Sequence, residues 1–187
     1  EITEANMCVD TAMMSITGEF ILSTEQGSAD IVLITDRSGS MGWTFTDDWS
    51  ENEAVFRECD DPNINLPTTT RISVAKCIDK KFVNDFLNPS NPSLKISLVS
   101  YSTTSNIDQL FTNNNQILID EIDSYVDTYS TCISCAIDDA INVVQNNGTD
   151  GSPKSIILMT DGETNHCIGG SCSNNDAIDE VEDLSCN

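Results

Sequence analysis

Asp36-Arg37-Ser38-Gly39-Ser40 stands directly after the apolar run Ile31-Val32-Leu33-Ile34. One carboxylate, two hydroxyls and a glycine in so short a turn bring three oxygen donors around one point, and Gly39 lets the backbone fold there without a Cβ clash. Hard divalent cations are held by such oxygen ligands, with Mg²⁺ requiring near-octahedral geometry at about 2.1 Å. A second carboxylate comes from Thr160-Asp161-Gly162-Glu163, which ends another apolar run, and Thr131 adds a further hydroxyl just ahead of an amphipathic stretch. The candidate ligand set is therefore Asp36, Ser38, Ser40, Thr131 and Asp161, and the candidate ions are Mg²⁺ or Ca²⁺, with Mn²⁺ as a third. Plain turn and helix capping is the competing explanation for Asp36, Ser38 and Asp161. Two unrelated caps, however, do not require Ser40 and Thr131 as well. No phosphate-cradling Gly-Lys loop is present and no nucleophile pairs with a base, so the chemistry points to binding rather than turnover.

The elements that must position these residues are readable from periodicity. Ile31–Ile34 is a continuous apolar run of the kind buried on both faces, Leu94–Tyr101 is a second strand, and Ser155–Thr160 is another buried one. A short strand is expected at Ile107–Phe111. Helices are predicted over Arg71–Leu87, with Ile72, Ala75, Phe82, Val83 and Phe86 on one face, and over Asn115–Val126, with Leu118, Ile122, Tyr125 and Val126 inward. Ile133, Ala136, Ile137, Ala140, Ile141 and Val144 follow the helical period most closely. A strand pair at Met13–Leu22 and an acidic helix at Asp176–Leu184 flank these elements. Alternating strands and helices imply an α/β fold with a doubly wound, mostly parallel open sheet and helices on both faces. Ligands of such sheets bind at the carboxyl ends of the strands, where Asp36 and Asp161 fall.

Asp36-x-Ser38-x-Ser40, Thr131 before an Ala-Ile helix, and Asp161-Gly162 after an apolar strand together resemble the metal-ion-dependent adhesion site of von Willebrand factor type A domains. The resemblance covers residues 30–187 and leaves 1–29 as an amino-terminal extension. It implies that Ser38, Ser40 and Thr131 coordinate the ion directly while Asp36 and Asp161 act through water or as hydrogen-bond acceptors. It also implies a protein partner offering an Asp or Glu carboxylate to the open position. Two departures stand out. Residues 43–69 form an unusually long acidic insertion, in which Asp47 and Asp48 are candidate partner-selecting residues and Trp43 and Trp49 candidate exposed anchors. The family's sheet also has further strands after the Asp161 element, so the sheet is expected to be completed by more sequence or by a neighbouring subunit.

Charge and cysteine content narrow the setting. The 187 residues hold 31 acidic and 8 basic side chains, a net charge of -23, which repels nucleic-acid phosphates and anionic lipid. No apolar run has transmembrane length, so neither nucleic-acid binding nor direct membrane insertion is expected. Eight cysteines suit an oxidising, extracellular or cell-surface location. Cys167 and Cys172 bracket a short loop suited to a disulfide. Cys132 and Cys135 either bond each other or pair with Cys59 and Cys77, and Cys8 and Cys186 are left to join the ends. A zinc site built from such cysteines with His166 is the alternative use of these residues. Asn147-Gly148-Thr149 is a glycosylation sequon, with Asn147 as acceptor. The expected function is a metal-dependent adhesion module without enzymatic activity. The rival is a structural subunit of a surface filament or layer whose metal site only stabilises.

Overall fold

The computed structural model describes residues 27–45, 59, 68–87, 90–162, 164–168 and 170–171. The expected strand pair at Met13–Leu22, the acidic helix at Asp176–Leu184 and most of the insertion, including Asp47, Asp48 and Trp49, lie outside the described residues.

Four strands form one sheet in the order β3-β2-β1-β4. They are β1 (Ala29–Asp36), β2 (Leu94–Tyr101), β3 (Ser105–Thr112) and β4 (Lys154–Met159). β1 is central and runs parallel to both β2 and β4, pairing Ile31 with Ile96 and Val32 with Ile156. β3 is antiparallel to β2, with a register shift on either side of Leu98. That orientation follows from the connection, since residues 102–104 are too few for a crossover and long enough for a hairpin. A two-stranded hairpin, β5 (His166–Cys167) and β6 (Gly170–Ser171), lies beyond β4.

The helices divide between the two faces because β1 and β2 are apolar on both. Ile31, Leu33, Ile96 and Leu98 pack with α1 (Arg71–Phe86) and α2 (Asn115–Ser124), through Ile72, Ala75, Val83, Leu118 and Ile122. Val32, Ile34, Val99 and Tyr101 pack with Ala136, Ala140 and Val143 of α3 (Ile133–Asn147). Polar side chains fix where the helices begin. Thr70 accepts the Ser73 N–H at the start of α1, and Asn114 accepts from Gln116 and Ile117 at the start of α2. Between α3 and β4 the chain turns at Gly151, whose φ of 72° is in the region glycine tolerates best.

Two expectations are corrected. Val126 does not face inward: α2 ends at Ser124, the chain leaves the helical path at Tyr125, and Val126 is 55% exposed. β4 is not buried on both faces either. Among the described residues it pairs only with β1, and Ile156, Ile157 and Leu158 remain 36–41% exposed.

Candidate metal centre

The carboxyl ends of β1 and β4 lie side by side, Thr35 opposite Met159, so the segments that follow them emerge together. After β1 the chain enters a 3₁₀ turn, Gly39–Gly42. Asp36 is fully buried and anchors this turn by accepting the Ser38 N–H at 2.7 Å. Its other oxygen accepts from the Tyr101 hydroxyl at 3.0 Å and the Thr160 hydroxyl at 2.8 Å. Burial, and then the negative charge of Asp36, push the Tyr101 phenol well above its ordinary range, so it remains a donor.

The anchored turn sets the serine hydroxyls 3.1 Å apart, Ser38 Oγ to Ser40 Oγ. Ser40 Oγ also donates to Asp161 Oδ1 at 2.9 Å. The other Asp161 oxygen is 2.6 Å from Arg71 Nη1, in an ion pair whose side chains are 13% and 10% exposed.

Thr131 reaches the same rim through backbone contacts. The Gly39 N–H donates to the Tyr129 carbonyl at 2.9 Å and the Thr128 N–H to the Arg37 carbonyl at 2.6 Å, stitching the segment before α3 onto the 3₁₀ turn. A side chain at position 39 would place its Cβ 3.1 Å from that Tyr129 oxygen, tight enough that the carbonyl would have to shift by a few tenths of an ångström, so the close approach favours glycine. From the other side, the Thr131 carbonyl accepts from the Asn165 and His166 N–H groups and the Thr164 hydroxyl, while its own N–H donates to Asn165 Oδ1. Thr131 is 5% exposed, and among the described residues its hydroxyl has no hydrogen-bond partner.

The donors fit a small hard ion. Two ligands at right angles around Mg²⁺ lie about 3.0 Å apart, the spacing at which the two serine oxygens stand. Among the described residues no three His, Cys, Asp or Glu side chains cluster as a metal site. The candidate set draws instead on hydroxyls, and Ser38, Ser40 and Thr131 would hold such an ion, with Asp36 and Asp161 next to them.

The cysteines settle into one of the three expected connectivities: Cys59–Cys77 and Cys132–Cys135. Cys167 is also disulfide-bonded. Cys172, Cys8 and Cys186 lie outside the described residues. Oxidised sulfurs are not thiolate ligands, which overturns the zinc alternative around His166. Cys132 instead caps α3, its sulfur accepting the Cys135 N–H immediately after Thr131. Trp43 is half-buried, with the Arg71 guanidinium 6.0 Å from its ring centre. Asn147 is exposed at the end of α3, whereas the Thr149 hydroxyl is engaged with Asp30 and Lys95.

Arg71, Tyr101, Thr160 and Asn165 are the site residues that sequence reasoning passed over. Only Arg71 carried a signal: a cation at the first position of a helix opposes the helix dipole and asks for an acidic partner.

Residues 31–163 match the von Willebrand factor type A domain family, and the chain belongs to it. None of the curated proteins matches. Among solved structures, the chain is similar to the vWF domain of the type V pili tip protein Mfa5 from Porphyromonas gingivalis. That match has 22% identity and a TM-score of 0.57, covering 74% of this chain and 39% of that one. The PilB minor pilin from Streptococcus sanguinis matches at 19% identity and a TM-score of 0.55, over 75% of this chain and 31% of that one. Proximal thread matrix protein 1 from the mussel byssus matches at 18% identity and a TM-score of 0.51, over 78% and 31%. The chain thus spans well under half the length of these three.

Proposed function

We propose that this chain is an extracellular or cell-surface adhesion module that grips a partner's carboxylate through a divalent cation, Mg²⁺ or Ca²⁺. The observation that carries the reading is the pair of serine hydroxyls 3.1 Å apart, with Asp161 2.9 Å from one of them. Neutral first ligands leave a bound ion with residual positive charge and a vacant position for an acidic guest. The protein's part is to fix the oxygens. Asp36 holds the turn through the Ser38 N–H, Tyr101 and Thr160 keep Asp36 in place, and Asn165 clamps Thr131. In this reading the hydroxyls serve as ion ligands and the site is one of binding rather than turnover.

Disulfides among the described cysteines support an oxidising location. A pilus tip protein and a minor pilin among the structural relatives are in keeping with a surface role. The second reading, a filament subunit with a stabilising site, is favoured by the exposed apolar β4 edge, which a neighbouring subunit could pair with.

Titration calorimetry with Mg²⁺, Ca²⁺ and Mn²⁺, followed by capture on a carboxylate-bearing surface with and without chelator, tests the proposal. One ion per chain, lost in Ser40→Ala, and chelator-sensitive capture are expected. Absence of ion binding at millimolar concentrations overturns it. Ion binding with chelator-insensitive self-assembly favours the filament reading.

A further inference from the structure

The two carboxylates of the candidate centre are not equivalent. Asp36 is surrounded by neutral donors, a backbone N–H and two hydroxyls. Asp161 is shared: one oxygen accepts from Ser40, a candidate ligand of the ion, and the other is paired with the Arg71 guanidinium. Arg71 is held there from several directions. It is the first residue of α1, its N–H donates to the Trp43 carbonyl at 2.9 Å, and its guanidinium lies near the Trp43 ring. Arg37, although it sits inside the Asp36–Ser40 turn, is committed elsewhere. Its guanidinium donates to the Val126 carbonyl and Ser100 Oγ and lies over Tyr125.

We propose that Arg71 is a built-in second cation of this site, which weakens the hold on the divalent ion and strengthens the attraction for an acidic partner. The inference rests on the metal-dependent reading above and deepens it. Taken by themselves, Asp36, Asp161 and Arg71 sum to a formal charge of about -1, and a divalent ion brings that set to about +1. Without Arg71 the loaded centre is formally neutral. That difference matters on a chain of net charge -23, whose general field turns acidic partners away. Arg71, although only 13% exposed, contributes to the lining of a cleft of about 300 Å³ with Met41, Phe45, Ile78, Met159 and Asp161. A partner whose acidic side chain neighbours an apolar one matches both the charge and the lining of that cleft.

The test uses the full chain as wild type, Arg71→Gln and Arg71→Lys. Mn²⁺ affinity is read by titration calorimetry, and carboxylate capture by retention on a surface coated with N-acetyl-aspartate in saturating Mn²⁺. Arg71→Gln is expected to bind Mn²⁺ about tenfold more tightly and to be retained about tenfold less. Arg71→Lys, which keeps the charge, stays near wild type in both. Opposite signs in the two measurements are the signature, because a variant that merely folds poorly loses both. A wild type that binds the ion, with Arg71→Gln binding it no more tightly, overturns this inference alone. A wild type that binds no Mn²⁺ overturns the metal-dependent reading and the inference with it.

Discussion

β1 begins and ends near a fully buried aspartate, and the two ends use that residue differently. At the amino end, Asp30 accepts the N–H and the hydroxyl of Thr149, pinning the turn that leads from α3 into β4. At the carboxyl end, Asp36 accepts from Ser38, Tyr101 and Thr160, drawn from three different strands or the segments just after them. Asp30 closes one connection, and the Thr149 hydroxyl it holds is used up by Lys95 of β2. Asp36 aligns segments that carry spare oxygens, and those oxygens form the candidate centre. A buried carboxylate is therefore informative through what its donors do with their remaining atoms. A third case, Asp79 on α1, is buried with one side-chain donor, the Thr35 hydroxyl at 2.7 Å.

Asp79 offers the largest expected effect. Burial raises its carboxyl to about 7, with the Thr35 hydrogen bond acting in the opposite direction. A folded-state value above the unfolded one favours folding while the group is protonated. Its contribution is complete below about pH 4 and is lost as pH rises through about 7, a difference on the order of 4 kcal/mol. Asp79→Asn keeps an acceptor for Thr35 and should abolish that loss. Denaturant unfolding at pH 5 and pH 8 checks this; parallel pH profiles for wild type and variant would refute it.

Next in size is the Cys59–Cys77 bridge, which ties the insertion to α1 across 18 residues. Replacing both cysteines with serine should cost about 3 kcal/mol and leave ion affinity unchanged, as read by melting and calorimetry. Serines at 132 and 135 should cost less stability, because the loop is shorter. They should weaken ion binding instead, since that bridge caps α3 directly after Thr131.

The comparison of the two strand ends is tested most directly, with the smallest free-energy change, by Asp30→Ala and Asp36→Ala. Asp36→Ala should weaken ion binding about 10- to 100-fold. Asp30→Ala should cost about 2 kcal/mol of stability by leaving the Thr149 N–H unpaired, with ion affinity intact. Equal effects of both on ion binding would erase the distinction drawn here.

The sequence made β1, β2, α1 and α3 legible because long apolar runs and helical periods report burial directly. It did not show how open β4 is, because Ile156-Ile157-Leu158 looks the same whether or not another element covers it. β3 was found, but its polar alternation hid its full length from Ser105 to Thr112. The five candidate ligands were visible as residue types at characteristic places, and the three segments carrying them do meet. Arg71 and Asn165 escaped notice because their roles arise from contacts across 90 and 34 positions, which no local pattern encodes. Trp43 looked like an exposed anchor within a polar stretch. It is half-buried because α1 folds back against it through the Arg71 N–H.

The separation along the chain of the groups that meet at this rim has a consequence for synthesis. Ser40 contacts Asp161 across 121 positions, and Thr160 contacts Asp36 across 124. During translation β1 with its serines emerges first, and the groups that fix Ser40 and Asp36 from the far side, Asp161 and Thr160, follow only after β4. An ion taken up at this rim would meet its complete set of residues only once β4 has paired with β1, so its uptake during refolding would report that pairing.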